Sequence, residues 1–113
     1  MSFTANPICT IRIYASGNKE KKYYMGAGIK FTAVVSPDNP TTVLFSIKDP
    51  GGTILVNSVP MVQESTNVFS YIYQSGVYDV YGKYTAIVNA SSGSTSAQEV
   101  LEIAMLEQPG LLM

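Results

Sequence analysis

The stretch Asp79-Val80-Tyr81-Gly82-Lys83-Tyr84-Thr85-Ala86-Ile87-Val88-Asn89-Ala90 decides the fold. A turn ending in Gly82 leads into a strand over 84–90 that carries Tyr84 two residues before the small Ala86. A turn ending in glycine and a strand bearing a tyrosine two residues before a small residue set the pattern against which the rest is compared.

Outward from this segment the same signals recur. Residues 8–15 alternate, with Cys9, Ile11 and Ile13 opposite Thr10, Arg12 and Tyr14, and Ser16-Gly17-Asn18 ends the run. Tyr23-Tyr24-Met25 reads as a short edge piece closed by Gly26-Ala27-Gly28. Residues 29–36 turn Ile29, Phe31, Ala33 and Val35 inward before Pro37-Asp38-Asn39-Pro40. Residues 42–48 set Val43, Phe45 and Ile47 against Leu44, Ser46 and Lys48, and Asp49-Pro50-Gly51-Gly52 is a turn in which proline presets one dihedral and glycine accepts positive φ. Residues 54–59 end at Pro60, which suits an edge because proline cannot donate to a ladder. Residues 68–73, the connection 76–82 and the strand 84–90 lead to the hairpin Ser91-Ser92-Gly93-Ser94. The final segment, 96–106, reads as a strand from hairpin spacing, with a helix as the alternative because residues 97–106 include good helix formers.

A chain of 113 residues is one domain with room for its own core. Apolar residues make up 46% and charged residues 13%, so the surface is polar but weakly charged. Eight tyrosines without a tryptophan suit half-buried strands. A net charge of -1 opposes non-specific nucleic-acid binding, which needs clustered cations. The one cationic cluster, Lys19-Glu20-Lys21-Lys22, reads either as a solvated loop or as a patch for an anionic partner. With Cys9 as the single cysteine no intradomain disulfide forms, and its alternation with Ile11 points to burial. Met1-Ser2-Phe3-Thr4-Ala5-Asn6-Pro7 lacks the features of a signal peptide, and no apolar run of about 18 residues predicts a membrane span. The expectation is synthesis and retention in a reducing cytosol.

Seven to eight antiparallel strands, with turns roughly every 8–12 residues, predict an all-β two-sheet sandwich. At this level the chain resembles the immunoglobulin-like superfamily over nearly its whole length. Phe45-Ser46-Ile47-Lys48-Asp49-Pro50-Gly51-Gly52 looks like the third strand and following turn of microbial Ig-like modules, and Val68-Phe69-Ser70-Tyr71-Ile72-Tyr73 and Gly82-Lys83-Tyr84-Thr85-Ala86 look like their later strands. The resemblance implies a tyrosine corner at Tyr84. It departs from the antibody pattern in having Ala86 where the second cysteine would stand and Phe45 for the tryptophan. Similar modules occur in bacterial surface proteins and in small accessory proteins of tailed bacteriophage particles, which are assembled in the host cytosol without signal peptides or disulfides.

Without histidine the chain holds no Ser-His-Asp triad and no histidine metal site. Asp38, Asp49 and Asp79 sit in turns, where aspartate caps backbone amides, and a calcium site would need Asp49 and Asp79 to share one pole of the sandwich. Gly26-Ala27-Gly28 and Gly51-Gly52 lack the lysine and helix of a phosphate loop. The expected arrangement is an N-terminal arm at 1–7, an Ig-like sandwich at 8–107 and a tail at 108–113, with no catalytic, metal or cofactor residue. Candidate partner-binding residues are Phe3, Tyr78, Tyr81, Leu111, Leu112 and Met113. The three at the C-terminus form either a frayed end or a docking arm, and Tyr78 and Tyr81, with Tyr23 and Tyr24, serve either contact or packing. The function expected is that of a non-enzymatic virion structural or accessory protein of capsid, neck or tail, contacting other virion proteins or copies of itself, with neither nucleic acid nor membrane. The alternative is a cell-surface adhesion or carbohydrate-binding module of a larger secreted protein.

Overall fold

The computed structural model describes residues 10–16, 21–36, 42–76, 80–92 and 95–106. The strands among them are β1 (Thr10–Ala15), β2 (Lys22–Tyr24), β3 (Gly28–Ser36), β4 (Thr42–Lys48), β5 (Ile54–Pro60), β6 (Val62–Ser65), β7 (Val68–Gln74), β8 (Gly82–Ser92) and β9 (Thr95–Leu106). They form two sheets, ordered β1-β3-β7-β6 and β2-β9-β8-β4-β5, and no helix occurs among the described residues. Ladders are antiparallel except β2 with β9, where Lys22, Tyr23 and Tyr24 run parallel to Ala104, Met105 and Leu106. The proposed arm and tail, and Cys9, lie outside the described residues.

The alternating strands face each other across one apolar core. Ile29, Phe31, Ala33 and Val35 of β3 are wholly buried, as are Phe45 and Ile47 of β4, Ala86 and Val88 of β8 and Met105 of β9. Aromatic rings link the two sheets. Phe45 lies between Phe31 and Tyr71, with centroids 5.0 Å and 4.7 Å away, the second pair stacked at 18°. Those separations fall in the favourable range for aromatic pairs.

Two features differ from the sequence expectation, and a third settles an alternative in favour of the strand expected. The chain enters β6 at Val62–Ser65, which no alternation announces, because every residue of that strand is exposed; it pairs with β7. Ser46 faces away from the core side of β4 yet is buried, because a bulge in β5 turns the Ser58 N–H onto its Oγ at 2.8 Å. Ser58 accordingly adopts φ 54, unusual for a residue with a side chain. The last segment is a strand, as expected, and not the alternative helix: β9 pairs with β8 from Thr95 to Met105, burying Ile103 and Met105 and facing Val100 outward.

Candidate functional site

Gly82 opens β8 at φ 139, and a Cβ there would come within 2.8 Å of Pro50 Cγ. Only glycine supplies both the dihedral and the close approach. The turn at Pro50 and the entry to β8 therefore meet at one pole of the sandwich. From this entry Tyr84 sends its ring into the core, with 1% of its surface exposed, and its hydroxyl donates back to the carbonyl of Val80.

Asp49 at the same pole is already occupied. Its Oδ1 accepts the Gly51 and Thr53 N–H groups, each at 2.9 Å, and its own carbonyl accepts Gly52 N–H at 3.0 Å. That is the capping role of a turn aspartate. Asp38 and Asp79 lie outside the described residues, and among the described residues no group of three His, Cys, Asp or Glu side chains gathers as metal ligands.

The buried serines are likewise structural. Ser75 Oγ accepts the Gly26 N–H at 2.9 Å and donates to the Ala27 carbonyl at 2.8 Å, while Gln74 Nε2 donates to the Gly26 carbonyl at 2.8 Å. Together they clamp the turn between β2 and β3 onto the end of β7. Ser70 Oγ donates to Glu64 Oε2 at 2.6 Å, and Lys30 Nζ reaches the same oxygen at 3.0 Å. The Ser70 hydrogen bond first, and the Lys30 ammonium after it, hold the Glu64 carboxyl below the usual carboxylate range. A depressed folded-state pKa contributes stability that is present above the unfolded-state value and is lost as pH falls through the folded one. NMR titration of Glu64 is expected to give a midpoint below that of an unstructured glutamate, and Ser70→Ala to raise it; a midpoint unmoved by that change would mean the hydroxyl does not hold the carboxylate.

Of the predicted contact residues, Tyr81 is 58% exposed, while Phe3, Tyr78, Leu111, Leu112 and Met113 lie outside the described residues. Tyr24 is exposed, whereas Tyr23 packs against the core and donates its hydroxyl to the Ser16 carbonyl at 2.8 Å. Lys21 and Lys22 are exposed. Sequence reasoning missed a larger apolar surface. Edge strand β5 exposes Ile54 and Leu55, and the chain then crosses at buried Met61 into edge strand β6, which exposes Val62 at 64%. Residues 53–63 contain no charged side chain, a signal that was legible in the sequence.

No family model matches this chain, and no curated protein matches it. Solved structures do. An engineered protein matches with a TM-score of 0.63 at 11% identity, over 86% of this chain and 20% of that one. The endo-beta-1,4-mannanase from Thermotoga petrophila matches with a TM-score of 0.60 at 6% identity, over 92% of this chain and 20% of that one. The likeness is one of fold. The chain spans about a fifth of each of these longer proteins. Among the described residues no helix is long and apolar enough to cross a membrane.

Proposed function

We propose that the chain is a non-enzymatic, immunoglobulin-like module that works by protein–protein contact within a larger assembly, as a virion structural or accessory protein of capsid, neck or tail. The strand orders support the Ig-like reading: β1-β3-β7-β6 follows the A-B-E-D order, and β9-β8-β4-β5 the G-F-C-C′ order, of a variable-type sandwich. The Tyr84 hydroxyl bonded to the Val80 carbonyl supports it too, having the form of a tyrosine corner.

The observation that carries the contact role is the uncharged edge. Natural edge strands are ordinarily blunted by lysine, by inward charges or by covering segments, because an open edge templates pairing with another chain. Here Pro60 and the β5 bulge break the edge, yet Ile54, Leu55 and Val62 stand exposed along it with no charge from 53 to 63. An apolar, charge-free edge of this kind is suited to being covered by a neighbouring subunit.

The test is a Leu55→Lys, Val62→Lys variant. Both side chains are exposed, so unfolding should shift by no more than about 0.5 kcal/mol per site. The wild-type chain is expected to co-purify with intact particles at a fixed copy number and the variant at a reduced one. Undiminished recovery of the variant overturns the edge as the contact surface. A wild-type chain absent from particles and displayed on cells as part of a longer polypeptide would instead favour the adhesion or carbohydrate-binding module.

A further inference from the structure

The outer face of the five-stranded sheet carries a second feature that the edge does not explain. Lys21, Lys22, Lys83, Glu102, Ile103 and Ala104 line an open cleft of about 200 Å³. Among the described residues, three of the chain's seven lysines and arginines thus border one cleft with one acid, in a molecule whose net charge is -1. The ladder explains the arrangement. Ala104 pairs with Lys22 on one side and with Lys83 on the other, so the three residues form one row across β2, β9 and β8. The central alanine is short, and a notch remains between two lysines that stand about 10 Å apart, two strand spacings. The Lys21 carbonyl accepts the Ala104 N–H at 2.9 Å, which fixes the third lysine at the same rim.

The notch already meets a carboxylate at its border. Lys83 Nζ lies 3.5 Å from Glu102 Oε1, with the side chains 69% and 57% exposed. An ion pair that open to water contributes little and is readily exchanged for another carboxylate. Two separated cation positions suit an extended acidic segment, whose alternate side chains stand about 7 Å apart, better than they suit one small ion.

We propose that this notch docks the carboxylates of an acidic segment of a protein partner. The assignment rests on the protein-contact reading above, and it gives that reading a second surface with a defined chemistry. Lys83 and the row it shares with Lys22 supply the charge, Ala104 supplies the space, and Glu102 acts as the internal competitor.

The test is an NMR titration of the full chain, isotope-labelled, with hexaglutamate and separately with inorganic phosphate at matched ionic strength. Hexaglutamate is expected to move the Lys22, Lys83 and Ala104 amide signals saturably and to lose affinity as salt rises. Lys83→Gln should weaken binding by about 1.5-fold to fivefold, and Glu102→Gln should strengthen it by a similar factor, the range expected of one exposed charge. Ala104→Leu should block the notch with no change in charge. Equal perturbation around Lys30 and Lys48 overturns the proposal, as does binding indifferent to Glu102→Gln and Ala104→Leu. Phosphate saturating the same signals as tightly as hexaglutamate overturns the protein-segment assignment. The edge variant in particles reports on the broader reading by itself, so failure of the notch and failure of that reading are separable.

Discussion

Replacing Phe45 with alanine is expected to lower the free energy of unfolding by about 3–5 kcal/mol, the range for deleting a buried aromatic ring. The ring is wholly buried and lies between Phe31 and Tyr71, which come from β3 and β7 of the opposite sheet. Its removal strips both rings of a partner and leaves a cavity between layers that no covalent bridge holds. A domain of this size has only about 5–15 kcal/mol in total, so the loss should move the thermal midpoint by ten degrees or more, at about 4–8 °C per kcal/mol. Ile54→Ala, at a side chain 50% exposed, is the matched control and should stay near wild type. Thermal and denaturant unfolding measure both. A Phe45→Ala loss below about 1 kcal/mol would mean that the inter-sheet rings do not hold the sandwich together.

Tyr84 separates ring from hydroxyl. Tyr84→Ala removes one of the largest fully buried side chains and should cost about 3–5 kcal/mol. Tyr84→Phe keeps the ring and deletes the hydroxyl that bonds the Val80 carbonyl, at an expected cost of about 0.5–1.5 kcal/mol. Hydrogen exchange should show Tyr81 and Gly82 opening faster in Tyr84→Phe while the β3 amides keep their protection. Equal losses in the two variants would show that the hydroxyl carries the whole effect and the ring none of it.

Much of the fold was legible because its strands are half-buried. In β3, Ile29, Phe31, Ala33 and Val35 alternate with more exposed partners, and burial follows that alternation residue for residue. The turn at Asp49 was legible for a local reason, since its carboxylate bonds amides two and four residues ahead. β6 was not legible, because its four side chains are all exposed and what holds it, the ladder to β7 and the contacts of Glu64 with Ser70 and Lys30, comes from neighbouring strands. The burial of Ser46 was hidden for a related reason: its partner is a backbone N–H from a bulge in a neighbouring strand. The candidate surfaces divide in the same way. Absence of charge over 53–63 is written in the sequence, but its standing on two successive edges depends on where the chain crosses between sheets.

By itself, then, the sequence determined an all-β chain of alternating strands, the inward set of its half-buried strands and the turns that end them, because each depends on period and on chemistry within a few residues. Tertiary structure alone decided strand order, the rings that meet across the two layers and the row in which Lys22, Ala104 and Lys83 lie side by side. Those features depend on register between distant segments. Register is set by which buried faces fit one another, a property of the packed molecule that no single strand encodes.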